Sequence, residues 1–153
     1  MPNYYYLICS DKENTNENIK NSAFDIYKIR ITESKWPLYT TTRHSDEIKQ
    51  DDKLLIYLAG NKKYCQHFIA YTEVAKVEPV ENLKFVDVDS NSDLIESYLI
   101  LKNNKELLNP FNVKENLDTL SFINHKKFYG LSFQGGLRKI DEKSFNQIIL
   151  SNK

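Results

Sequence analysis

The sequence predicts one α+β domain built on a curved mixed sheet or small β-barrel flanked by short helices. Three observations carry that expectation: many short β-favouring runs, only brief stretches of helical spacing between them, and no regular strand–helix alternation. A chain of 153 residues is long enough to bury one core. The span 1–153 shows neither an internal repeat nor a linker, so it is read as a single domain.

The elements follow in order. Residues 4–9, YYYLIC, form a continuous β-favouring run stopped by Ser10-Asp11, the pattern of a strand buried on both faces, and are placed as a central strand. Residues 11–24 are polar and Asn-rich with little apolar face, which predicts a loop with a short helix. Phe24, Ile26, Tyr27, Ile29 and Ile31 then nearly alternate, as in a strand or extended connector. A polar turn or short helix leads through Asp51-Asp52 to a strand at Leu54–Leu58, stopped by Ala59-Gly60-Asn61. Residues 66–78 are the antiparallel partner across a hairpin loop at 59–65. Short strands are expected at 83–89 and 97–102, and a short helix within 109–123 capped by Asn109 or Asn112. The total is about five strands. The tail from Asp141 carries Phe145, Ile148 and Ile149 at helical spacing and predicts an amphipathic helix packed across the sheet.

Composition narrows the function. With 41% hydrophobic and 27% charged residues, the chain has the make-up of a soluble globular protein. No apolar run reaches the ~20 residues of a membrane span and the N-terminus lacks the regions of a signal peptide, so no membrane partner and a cytoplasmic location are expected. Cys9 and Cys65 lack CxxC spacing and read as free thiols. Lys plus Arg equals Asp plus Glu at 21 each, so no global positive field holds nucleic acid, and any such binding must come from a local patch or pocket.

Reactive constellations are weak. Cys65-Gln66-His67 offers a thiol and a base, but positions i and i+2 on a strand share a face without touching, and no orienting third group is evident. His44, His67 and His125 lack metal-ligand spacing and read as surface or satisfied core groups. Gly135-Gly136 is not a phosphate loop. Residues 122–140 interleave Lys126, Lys127, Arg138 and Lys139 with Phe128, Tyr129 and Phe133, a mixture that suits phosphates and stacked bases, although core aromatics with a solvated lysine rim would look the same.

Trp36 is the only tryptophan in the chain. A lone tryptophan is more often a core residue than a ligand platform. Pro37, however, restrains it to an extended conformation and holds the indole rigidly beside Tyr39, the Thr40–Thr42 hydroxyls and Arg43. That setting suits a flat ligand with polar edges.

Three segments together resemble the EVE domain of the PUA-like superfamily, to which YTH domains are related. They are YYYLICSDKEN; the Trp36 segment with IKQDDKLLIYLAG and HFIAYTEV; and SFINHKKFYGLSFQGGLRKIDEKSF. The resemblance spans essentially the whole chain, and FINHKKFYG…FQGGLRKI is its most specific part. It implies a PUA-like curved mixed sheet or small β-barrel with a pocket for a flipped, modified base; YTH domains read methylated adenine in RNA, and EVE domains are linked to modified cytosines in DNA, often beside restriction systems. By position it places Ser10 and Asp11 at the base edge, Trp36 as the stacking aromatic, Pro37 where a backbone carbonyl accepts from an exocyclic amine, and Phe128 or Tyr129 at the later aromatic position. Arg43, Lys126, Lys127 and Arg138 are the expected phosphate contacts. Three departures bear on which base is preferred: Pro37 replaces a small residue, Asp51-Asp52 a Gly-Asp turn, and Phe128 or Tyr129 a tryptophan.

The function implied is a non-catalytic reader of a modified, methylated base in DNA or RNA, with a separately encoded nuclease as a further partner and no cofactor, metal or catalytic residue. The alternative is a PUA-like domain that binds a small molecule or a protein and not nucleic acid, which the zero net charge permits.

Overall fold

The computed structural model of the chain describes residues 2–10, 12–14, 19–39, 42, 44–60, 65–79, 95–123, 129–133 and 136–150. In chain order the elements are β1 (Tyr4–Cys9), β2 (Lys12–Asn14), β3 (Ile19–Asn21), α1 (Ala23–Glu33), β4 (Lys35–Tyr39), β5 (Lys53–Leu58), β6 (His67–Pro79) and β7 (Ile95–Asn112). Two 3-10 turns, Lys114–Thr119 and Tyr129–Phe133, then precede β8 (Leu137–Lys139) and α2 (Glu142–Leu150). Six strands form one sheet in the order β4-β7-β6-β5-β1-β8, and β2 and β3 pair separately as a hairpin. The sheet is mixed: β1 runs parallel to β5 and every other neighbour is antiparallel. The expected curved α+β architecture is present as a strongly curled half-barrel.

β1 is buried on both faces, as its unbroken apolar run requires. Its alternate side chains enter two different cores. Tyr5, Leu7 and Cys9 join Trp36 and Leu38 of β4, Leu54, Ile56 and Leu58 of β5, and Ala23, Ile26 and Tyr27 of α1. Three strands separate β1 from β4 in the sheet. Their side chains share one cluster because the sheet curls round it, so this cluster fills the concave side. Tyr6 and Ile8 point the other way, into a convex-side cluster with Phe68, Phe111, Phe133, Phe145 and Ile148. α2 therefore packs across the sheet as its apolar spacing predicts, started by Asp141 Oδ2 accepting from Ser144 N at 3.0 Å.

Several local expectations change. Residues 24–31 are not a strand: Ala23, Ile26, Tyr27 and Arg30 are the buried positions, an i, i+3, i+4, i+7 helical stripe, whereas Ile29 is exposed and had completed a misleading alternation. Ser22 Oγ caps the helix, accepting from Asp25 N at 3.1 Å. The segment before it holds the β2–β3 hairpin rather than a short helix. Residues 97–102 belong to an 18-residue strand that follows β6 through three register shifts, and such bulges let a long ribbon bend round a barrel. With six strands in the main sheet, the estimate of about five falls short. The β5–β6 hairpin, the polar turn before β5 and the short helical turn after Asn112 are present, with Asn112 Oδ1 accepting from Glu115 N at 3.0 Å. The expected strand at 83–89 lies outside the described residues. Neither cysteine is in a disulfide, and both are buried.

Candidate nucleic-acid interface

The curl brings the two sheet edges, β4 and β8, towards each other. After β4 the chain turns tightly: Thr42 Oγ1 accepts from Tyr39 N at 2.9 Å, and Thr42 N donates to Tyr39 O at 3.0 Å. That turn sets Thr42 Oγ1 within 3.8 Å of where a Cβ on Gly136 would lie. Gly136 in turn accepts from Ile8 N at 3.0 Å, at the end of β1 from which the exposed Ser10 departs. Further along the seam, Lys139 Nζ meets Glu47 Oε1 at 3.2 Å. Glu47 also holds His44, and these two partners keep its carboxyl below the usual carboxylate range. Ser10, Tyr39, Thr42 and Gly136 thus gather at one end of the half-barrel.

Trp36 reaches this region because α1 passes into β4 without a loop. Ser34 ends the helix in the left-handed conformation (φ 53°), its N–H bonded back to the carbonyls of Arg30 and Ile31. Pro37 follows on an edge strand, where a missing backbone donor costs no ladder bond. The indole is only 2% exposed. The Arg30 guanidinium lies over it, 4.9 Å from the ring centroid, and its Nη2 donates to the Tyr39 hydroxyl at 3.3 Å. Arg30 is itself 7% exposed.

Trp36, Pro37 and Tyr39 therefore stand together on β4, and Ser10 lies at the barrel end. Asp11, Arg43, Lys126, Lys127, Phe128 and His125 lie outside the described residues. Tyr129 sits elsewhere: it packs against the convex-side cluster and donates from its hydroxyl to Gln66 Oε1 at 2.6 Å. Arg138 is directly opposite Tyr6 in the β1–β8 pair and so shares the convex face. Burial pushes the Tyr6 phenol up to about 12, against the opposing pull of Arg138. Arg30 escaped sequence reasoning because reading 24–31 as extended hid the stripe that turns it inward.

The Cys65–His67 pair gains no geometry for nucleophilic chemistry. His67 Nδ1 lies 2.7 Å from the backbone oxygen of Cys65 rather than on its thiol. Among the described residues no group of three or more His, Cys, Asp or Glu side chains is placed to hold a metal. No helix among them is long and apolar enough to cross a membrane. A separate cavity of about 200 Å³ opens between α1 and β7, lined by Phe24, Tyr27, Ile69 and Leu107, with the Lys28–Glu106 pair (3.1 Å) beside it.

No protein-family model and no curated protein matches the chain. Solved structures do. Human THYN1, in complex with DNA containing 5-methylcytosine, aligns over 99% of this chain and 98% of its own with a TM-score of 0.63 and 8% identity. Protein Atu2648 from Agrobacterium tumefaciens aligns over 98% and 92% with a TM-score of 0.56 and 14% identity. Rpa0253 from Rhodopseudomonas palustris aligns over 98% and 92% with a TM-score of 0.54 and 8% identity. Likeness at such identities is one of fold, and the class it defines is the PUA-like α+β domain. This is the fold that the resemblance to EVE domains implies.

Proposed function

We propose that this chain is a non-catalytic nucleic-acid-binding module that accepts a modified, methylated base flipped out of its strand. The observation that carries the reading is the whole-chain fold match to a protein solved with 5-methylcytosine DNA, in which neither chain has a large unmatched part. The site geometry supports it: β4, which carries Trp36, ends at Tyr39, whose turn to Thr42 meets Gly136 beside the end of β1 where Ser10 emerges.

The energetics are coherent. Extruding a base costs a few kcal/mol, aromatic stacking returns about 1–3 kcal/mol, and a buried methyl adds roughly 0.8 kcal/mol. A snug pocket can then select a modified base without a large basic surface, which a chain of zero net charge does not have. In this reading Ser10 and Asp11 bond the base edge, Trp36 stacks, the Pro37 carbonyl accepts from an exocyclic amine, Tyr39 and Phe128 complete the wall, and Arg43, Lys126 and Lys127 meet phosphates; Tyr129 and Arg138, on the convex side, take no part. The protein works in the cytoplasm, and a separately encoded nuclease is the partner such a reader would direct.

Titration with methylated, hydroxymethylated and unmodified oligonucleotides, as DNA and as RNA, tests the reading. One modified strand should bind more tightly, and Ser10→Ala, at an exposed position, should lose part of that preference while the fold is kept. Equal weak binding to every strand would contradict it. The cavity between α1 and β7 favours a second reading, a small-molecule binding domain; binding of free nucleosides or metabolites with no oligonucleotide affinity would establish that instead.

A further inference from the structure

We infer that Arg30 is a plug on the base-binding site: its guanidinium occupies the face of Trp36 that a flipped base needs, and must leave before a base can stack. The inference rests on the reading of Trp36 as the stacking platform. Stacked aromatic planes prefer offset or tilted arrangements with centroids 4.5–7 Å apart. The Arg30 guanidinium carbon is already 4.9 Å from the indole centroid, so base and guanidinium cannot share that face. The indole otherwise belongs to the concave-side core and is only 2% exposed.

The plug is built to be held and to be released. Its backbone is fixed in the last turn of α1, where Arg30 O accepts from Ser34 N–H. The contacts of its head include the ring face at 4.9 Å and a 3.3 Å hydrogen bond to the Tyr39 hydroxyl. A cation over an aromatic face holds weakly when exposed and more firmly when desolvated, so the stacked state is favoured without being permanent. Tyr39 is the residue from which the turn to Thr42 and the seam begins. A strand entering there meets the hydroxyl that anchors Arg30, and a phosphate offers the freed guanidinium a bidentate, charge-assisted partner. The same side chain would then exclude water from an empty site and clamp the backbone of an occupied one. Weak or unmodified bases would not repay its displacement, which makes Arg30 a specificity-determining residue.

The lone tryptophan makes the test direct. In the free protein, acrylamide quenching of Trp36 emission should rise several-fold in Arg30→Ala and in Arg30→Gln, with circular dichroism showing both variants folded. Affinity for the free modified nucleoside, which has no phosphate, should rise about thirtyfold in Arg30→Ala, the worth of one desolvated cation–aromatic contact. Affinity for the modified oligonucleotide should rise less, because the phosphate clamp is lost, and discrimination against the unmodified strand should narrow. Unchanged quenching in both folded variants would overturn the plug, as would nucleoside affinity that falls when Arg30 is removed. If wild type prefers a modified oligonucleotide while quenching is unmoved, the plug fails and the modified-base reading stands. If quenching rises but no oligonucleotide is preferred by any variant, the plug is real and the reading fails.

Discussion

At the scale of single residues, the polar groups inside the fold are set for specific partners. Asp52 is fully buried, and its carboxylate accepts from Asn3 N at 2.9 Å and Lys49 N at 3.0 Å, tying the chain before β1 to the turn before β5. Asp52→Ala leaves both backbone donors without that acceptor and should cost about 1–3 kcal/mol in denaturant unfolding. Its neighbour Asp51 takes the left-handed conformation (φ 72°), which explains why the related pattern uses glycine there. Tyr6 supplies an alkaline prediction. Burial raises its pKa from 10.0 to about 12 in the folded state, so the folded chain keeps a proton that the unfolded chain releases. The stabilisation is whole below about pH 10 and falls as pH rises towards about 12. Tyr27 and Tyr57 are shifted upward by burial as well and add to the loss. Unfolding midpoints measured from neutral pH upward should drop above about pH 10, and less steeply in Tyr6→Phe.

Elements show what was legible in the sequence and what was not. β1, β5 and β6 could be read because a strand covered on both faces needs an uninterrupted apolar run, and YYYLIC and LLIYL have one. α1 could not, since Phe24 and Ile26, then Tyr27, Ile29 and Ile31, nearly alternate, and only tertiary burial picks out the helical stripe of Ala23, Ile26, Tyr27 and Arg30. The length of β7 was hidden for another reason: its middle, Asn103 to Glu106, is polar and exposed, a turn-like composition in a strand that bends there. Ser22→Ala should weaken α1 by about 0.5–2 kcal/mol by removing the cap, measured as a lower unfolding midpoint. Lys53 and Glu73 face each other across β5 and β6 at 2.8 Å, and Lys53 holds the Glu73 carboxyl below its ordinary value. A lowered carboxylate pKa stabilises above the unfolded-state value and loses that contribution as pH falls through the folded one. Wild type should therefore exceed Glu73→Gln by up to about 1 kcal/mol at neutral pH, and the difference should shrink as pH falls below the ordinary glutamate value and vanish once it is below the lowered folded one.

At the scale of the whole molecule, the proposed site depends on a closure that no local pattern records. β4 and β8 lie at opposite ends of the sheet and are brought together only by its curl. The resemblance implied the right fold because it carries information about the assembled chain, whereas spacing alone reads Trp36 as a core residue, and it is packed in the core. The indole is buried, and the Arg30 guanidinium lies over its ring. Arg30 was out of reach from the sequence because its role depends on α1 being helical and on Ser34 turning the chain directly into β4. The measurement that tests the central claim most directly is the emission of Trp36 during titration with paired oligonucleotides that differ by one methyl group. Binding should quench this emission, with the methylated strand preferred by about fourfold or more, the worth of one buried methyl. Equal affinity for both strands with unaltered Trp36 emission would contradict it.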